Sequence, residues 1–280
     1  WVCCAVWLVS SPSSITRTPR LDCSSVLVAR VAAFASTASA PKRVGVVIAN
    51  GFEMLDAIGP FEVFKEIEKT YFAHVNLASQ TWSDTALQPG IQCSADGGPP
   101  LHVEVEMVAD SLTPVTSLSG VTITPTYDLK EDPEAKRYDL LVFGALSSSK
   151  YEGARTEYKD GHTQTTKDYL KAHNRQGKDV MTVCIGVQVV AELGLLDGKN
   201  ATTNSLFLDD FRNGFPNVRW LSADASSKNR VVQSTEAITT CAGVSSGIDG
   251  ALAQAKKWCG RDAAEALKQC LEWPVPVRSL

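Results

Sequence analysis

The sequence predicts an α/β protein, a mostly parallel sheet covered by helices on both faces. Three observations carry this. The runs VGVVIA (44–49), YDLLVFG (138–144) and DVMTV (179–183) are continuously apolar or β-branched rather than alternating, as strands buried on both faces are. Stretches with apolar residues at helical spacing lie among them, so strand and helix alternate along the chain. The chain has 280 residues, 44% apolar and 21% charged, which is enough to bury such a core.

Composition also excludes several classes of function. With 27 basic and 31 acidic residues the net charge is −4, so no global positive field exists to hold nucleic acid or a membrane surface. No run of about 18 uncharged apolar residues occurs, and no transmembrane helix is expected. The eight cysteines point to reduced thiols rather than a disulfide scaffold. No CxxC or other metal-ligand spacing occurs, and neither GxGxxG nor GxxxxGK[ST] is present. No metal and no cofactor are expected.

In chain order, residues 1–41 form a leader apart from the fold. They carry Arg17, Arg20 and Arg30 against Asp22 alone, with eleven Ser or Thr. Such a leader resembles a mitochondrial transit segment; a disordered upstream extension and a truncated secretory signal are the alternatives. The compartment implied is cytoplasmic or mitochondrial. A single domain is expected over 42–280. Its first strand, 44–49, is closed by Asn50-Gly51, and FEMLDAIGPFEVFKEIEK then has helical spacing at Ile58, Phe61, Phe64 and Ile67, with Pro60 placed in a first turn. Residues 80–100 are Gly/Pro-rich and patternless, an irregular insertion: a lid, a disordered segment or sequence foreign to the domain. LHVEVEMVA (101–109) alternates as a strand, SGVTITP (119–125) is a shorter one, and residues 163–176 are an amphipathic helix. After the 179–183 strand, VQVVAELGLL (187–196) has helix character, stopped by Asp197-Gly198. Val244–Trp258 and Asp262–Trp273 are two closing helices.

Cys184 is the candidate nucleophile. It follows a buried strand and precedes a helix, with Gly186 two positions on, so its thiol sits on a sharp strand-to-helix turn. A helix N-terminus there is expected to lower the thiol pKa, and the amides of Ile185 and Gly186 to face a developing oxyanion. The histidines, His74, His102, His162 and His173, all precede Cys184. A Cys-His glutamine amidotransferase of this topology needs one downstream, so that activity is excluded; an imidazole would have to come from the His162–His173 segment. A carboxyl is the better partner. Asp56, at the turn after the first strand, would reach the same sheet edge as Cys184. Its alternative is a helix N-cap, and Glu53 is a second carboxyl three residues earlier. Cys241 follows a strand and precedes a helix, which makes a second reactive thiol conceivable, whereas Cys259 and Cys270 are packing residues of the closing helices.

The blocks VGVVIANGFEMLDAIGPFEVF, YDLLVFG, VMTVCIGVQVVAELGLLDGKNATTN and TTCAGVSSGIDGAL follow, in order, those of the ThiJ/PfpI superfamily, and the chain resembles it from about Arg43 to Trp273, interrupted at 80–100. That group contains the DJ-one proteins and bacterial isonitrile hydratase. The resemblance implies a flavodoxin-like three-layer sandwich of the glutamine amidotransferase-like class, a homodimer, and a small electrophilic substrate handled without a cofactor. It implies Cys184 as nucleophile and Asp56 as acid, with Ile185, Gly186, Gly144, Ala145 and Asn204 as oxyanion or substrate-binding positions. The form DAIGP looks more like the isonitrile hydratase branch.

Three departures bear on substrate. Ile185 stands where that branch usually has Thr, Asn204 follows ATT where many relatives carry His, and Gly144-Ala145 replaces the usual Gly-Gly. The expected reaction is hydration of an isocyanide: the Cys184 thiol attacks the isocyanide carbon, Asp56 delivers a proton, and water releases an N-formamide from the thioimidate. The alternatives are a glyoxalase-type enzyme acting on 2-oxoaldehydes, or a stress sensor whose Cys184 oxidises to a sulfinate.

Overall fold

The β-branched run after Pro41 forms strand β1, Lys42–Val47, whose last four residues are buried. The computed structural model of the chain describes residues 40–77, 102–146, 161–223 and 228–277. The leader, up to residue 39, and the insertion at 80–100 lie outside the described residues. Ten further strands follow: β2 (Val103–Ala109), β3 (Val115–Thr116), β4 (Thr122–Ile123), β5 (Tyr127–Asp128), β6 (Leu140–Phe143), β7 (Asp179–Val183), β8 (Asn200–Ala201), β9 (Arg219–Trp220), β10 (Val231–Gln233) and β11 (Ile238–Cys241). The helices are α1 (Met54–Leu77), α2 (Gln164–Arg175), α3 (Gln188–Glu192), α4 (Leu208–Gly214) and α5 (Ser246–Cys270).

Seven strands make the central sheet, in the order β10-β11-β7-β6-β1-β2-β5. Every pairing is parallel except β10 with β11. All four residues of β6 and of β11 are buried, as continuous apolar or β-branched runs in a doubly covered sheet should be. The chain steps one way across the sheet from β1 to β2 and the other way from β6 to β7. Right-handed crossovers therefore put α1 and α2 on opposite faces. α1 packs against α5, and α5 rests on β7, β10 and β11. The result is the flavodoxin-like sandwich.

Four elements differ from expectation. Pro60 is the seventh residue of α1, one turn deeper than a first-turn proline, and its missing N–H leaves Asp56 O without its i+4 donor. SGVTITP is not a sheet strand: β3 and β4 form a separate antiparallel hairpin, and β5 alone joins the edge beside β2. The helix expected over 187–196 is a 3-10 turn, Cys184–Val187, then a single short α3, because Gly194 adopts φ +69° and stops it. The two closing helices are one element broken at Gly260, where φ is +84°.

The stepping direction of the connections reverses between the parallel strands β1 and β6, and this fixes where a ligand belongs, at the carboxyl ends of those strands. Val47 of β1 pairs with Phe143 of β6, and Phe143 with Thr182 of β7, so the three strands end level. Asp56, Gly144 and Cys184 all follow these ends.

Candidate active site

Cys184 leaves β7 with φ +59°, a left-handed conformation that costs a non-glycine residue roughly 1–3 kcal/mol. The turn is tied down on both sides. The Cys184 N–H donates to Ala242 O at 2.7 Å, and Thr203 Oγ1 donates to Cys184 O at 3.0 Å. Gly186 is required here: a methyl group on it would lie 2.5 Å from the carbonyl oxygens of Phe143 and Gly144. The elbow therefore presses its backbone on the end of β6, and Cys184 is 4% exposed.

Asp56 reaches the same place from α1. Phe52 bridges to Leu146, and the Glu53 N–H donates to Ala145 O at 2.9 Å, which folds the start of the helix over the end of β6. Asp56 is the third residue of α1 and fully buried. Its Oδ2 accepts the N–H of Ala145 at 2.8 Å. It is therefore not an N-cap; it crosses to another strand. A methyl group on Gly144 would come within 2.7 Å of its Cβ, so Gly144 makes room for the carboxyl. Ala145, placed by sequence in the oxyanion pocket, spends its amide on Asp56 instead. Oδ1 of Asp56 has no hydrogen-bond partner among the described residues.

Burial pushes the Asp56 carboxyl up to about 7, partly offset by the Ala145 hydrogen bond, with the charge of Glu53 adding to the rise. Burial and then the Asp56 carboxylate push the Cys184 thiol up to about 12, against hydrogen bonds from Asn204 and the Ile185 amide. The expectation of a thiol pKa lowered by the elbow is overturned. The α-helix that follows has five residues and begins beyond a 3-10 turn, so its dipole does not offset the loss of solvent. At neutral pH the resting sulfur is a thiol beside a carboxyl near its titration midpoint.

Asn204 occupies the sulfur's other flank. Its Nδ2 donates to Cys184 Sγ at 3.3 Å, while its Oδ1 accepts the Leu206 N–H at 3.0 Å. Because Leu206 offers only a donor, the amide orientation is determined and its N–H must face sulfur. Replacing it tests this directly. Asn204→Ser keeps a capping oxygen for Leu206 and removes the donor at sulfur. Alkylation of Cys184 by iodoacetamide at fixed pH is expected to slow about tenfold, the worth of one hydrogen bond to a charged group.

Two of the imidazoles lie at the far edge of the sheet. His173 Nε2 is 2.9 Å from Asp179 O at the opposite end of β7, roughly 15 Å along the strand from Cys184. His102 accepts the Lys42 N–H through its backbone at the start of β1, also at the far edge. His162 packs edge-on against Phe143, centroids 5.2 Å apart, and the side chain of His74 lies outside the described residues. Cys241 is not a second reactive thiol. It is fully buried against Gly250, where a methyl group would meet its sulfur at 2.4 Å, and burial raises its pKa. Cys259 is buried and disulfide-bonded, against the expectation of reduced thiols throughout, and Cys270 is exposed rather than packed. No cluster of three or more His, Cys, Asp or Glu suited to a metal ion occurs among the described residues. No helix among them is long and apolar enough to cross a membrane.

A cleft of about 500 Å³ is lined by Asn204, Leu55 (the residue before Asp56), Arg230 and the Ala242–Ser245 loop. Cys184 and Asp56 are not among its described lining residues, and Asn204, which donates to Cys184 Sγ, links the cleft to the sulfur. Thr203, Ala242 and Arg230 were not singled out from the sequence. Thr203 lies within the ATTN block, which could have drawn attention to it; Arg230 has no local signal.

A model of the DJ-1/PfpI family matches residues 42–256. The chain belongs to the DJ-1/PfpI family. It is 30% identical over 175 residues to isonitrile hydratase of Pseudomonas putida, covering 62% of this chain and 68% of that protein. Among solved structures, Drosophila melanogaster DJ-1beta superposes with a TM-score of 0.55 at 14% identity, covering 83% of this chain and 98% of that one. A ThiJ/PfpI family protein from Pseudomonas syringae gives 0.53 at 20% identity, covering 85% and 77%. These structures share the DJ-1/PfpI fold with this chain.

Proposed function

We propose that the protein is a cofactor-independent isonitrile hydratase, with Cys184 as nucleophile and Asp56 as its proton shuttle. The observation that carries this reading is the pairing of a strained, buried thiol with a carboxyl whose pKa lies near 7. Such a carboxylate accepts the thiol proton as sulfur bonds to the isocyanide carbon. It then passes that proton to the same carbon, giving a thioimidate. Water adds to the C=N bond, and collapse of the adduct expels the thiol and leaves an N-formamide. The carboxylate relays the thiol proton to carbon, where it stays, and water supplies the proton that restores the thiol as it leaves, so no free thiolate with its high pKa need accumulate. The N–H groups of Asn204 and Ile185 stabilise the sulfur's developing charge.

The 30% identity to a hydratase supports the substrate class. The glyoxalase alternative has less support, because Asn204 rather than an imidazole contacts the sulfur. A homodimer belongs to this reading. An apolar groove between α1 and α5, lined by Leu55, Ile58, Val63, Ile248, Leu271 and Trp273, offers the surface for a second copy.

Incubation of the purified protein with a simple alkyl isocyanide is expected to yield the matching N-formamide. Absence of formamide together with turnover of methylglyoxal without glutathione would replace this reading with the glyoxalase one.

A further inference from the structure

The cleft that meets Asn204, the sulfur's hydrogen-bond donor, holds a charged group that the mechanism leaves unused. Arg230 is the charged side chain among its described lining residues, in a protein whose net charge is −4. Its position follows from the sheet. Arg230 O accepts the Ala242 N–H at 2.8 Å, and Ala242 O accepts the Cys184 N–H at 2.7 Å. Arg230 therefore stands two strand spacings from Cys184, roughly 10 Å, and lines the cleft together with Asn204, the residue that donates to the sulfur.

Its guanidinium is held from behind. Nε donates to Asp249 Oδ2 at 2.7 Å, Nη2 also pairs with that oxygen and donates to Ser245 Oγ at 3.1 Å, and Trp273 Nε1 donates to Asp249 Oδ1 at 2.8 Å. The Asp249 side chain is 1% exposed and the Arg230 side chain 22%. Acceptor and cation are thus segregated: the carboxylate is buried and bonded to Trp273, and the Arg230 side chain keeps partial exposure on the cleft. Nη1 carries no hydrogen bond among the described residues. A buried carboxylate that fixes a guanidinium leaves its free edge preorganised for a second planar anion.

We infer that Arg230 binds a carboxylate, or a like planar anion, on the substrate while the substrate's electrophilic carbon meets Cys184. Built on the hydratase reading, this makes the preferred substrate an anionic isocyanide such as an isocyanoalkanoate.

The test compares isocyanoacetate with its methyl ester, in wild type and in a variant that removes both charges, Arg230→Met with Asp249→Asn, so that no buried carboxylate is stranded. Arg230→Lys serves as a second variant that keeps the charge and loses the fork. In wild type the anion is expected to exceed the ester about tenfold in kcat/KM, through KM, the worth of one charge-assisted hydrogen bond. That ratio falls to about one in the double variant and to an intermediate value in Arg230→Lys. Turnover of the ester with no preference for the anion overturns the inference and leaves the hydratase reading standing. If neither isocyanide is turned over, the hydratase reading fails, and calorimetric binding of N-formylglycine anion against its methyl ester decides on Arg230. Tighter binding of the anion, lost in the double variant, sustains its role, and equal or absent binding of the two overturns it.

Discussion

Cys184→Ser is expected to lower kcat/KM for a simple alkyl isocyanide by at least about 10³-fold while the protein stays folded. The proton that must leave sulfur goes to a carboxyl near pKa 7, from a thiol held near 12. A hydroxyl in the same place holds its proton far more tightly, and oxygen is the poorer nucleophile toward carbon. Serine fits the elbow: it meets the same left-handed φ of +59° and can accept from Asn204. Melting temperature should therefore move little, within about 1 kcal/mol of stability. Initial rates of formamide release and a thermal melt on the same sample check both halves. A serine variant with full activity would remove sulfur from the mechanism.

Asp56→Asn is expected to cost about 10²–10⁴-fold in rate, the range for losing a positioned acid-base group. It is also expected to change how stability depends on pH. In the unfolded chain the carboxyl releases its proton near 3.8; folding holds it to about 7. Between those values the folded state binds one more proton than the unfolded, so stability is greatest below about pH 4, declines as pH rises, and levels off above about 7. The full decline is on the order of 4 kcal/mol. Asparagine cannot titrate. The melting temperature of the variant relative to wild type should thus grow more favourable from pH 5 to pH 8. Activity runs the opposite way in wild type: kcat/KM rises through about pH 7 as the carboxylate forms, then holds a plateau. A variant that kept the wild-type pH dependence of stability would assign the titration to another group. The site is accordingly stabilised least where it is most active, which explains why a buried carboxyl with an unpartnered Oδ1 is kept there at all.

Much of the fold was legible because its signals are local. β7 runs over Asp179–Val183 as the β-branched stretch DVMTV predicts, and α2 begins after Thr163, whose side chain caps Thr166. The short pieces were not. β3, β4, β5, β8 and β9 have two residues each and are selected by the partners they meet, so no periodicity can announce them. Asp56 shows the same division within one residue. That an acid follows the first strand is written in the chain; that it bypasses its own helix to take the amide of Ala145, 89 residues away, is not.

What the sequence by itself determined is the identity and order of the reacting groups: a thiol after one inner strand, an acid after another, no imidazole downstream, and the ordered blocks that mark the family. Only the tertiary structure decided their electrostatics. Placing sulfur at an elbow suggested an acidic thiol, because the helix dipole can be inferred from neighbours in the chain. The loss of water cannot, since it depends on β6, α1 and the Asn204 loop closing over the site together. Desolvation outweighs a short helix, and so the same residues form a thiol–carboxyl pair rather than a free thiolate. Arg230 belongs to this second category as well: a strand two places across the sheet, a buried aspartate on α5 and a tryptophan near the chain's end had to converge before its free edge could face the cleft.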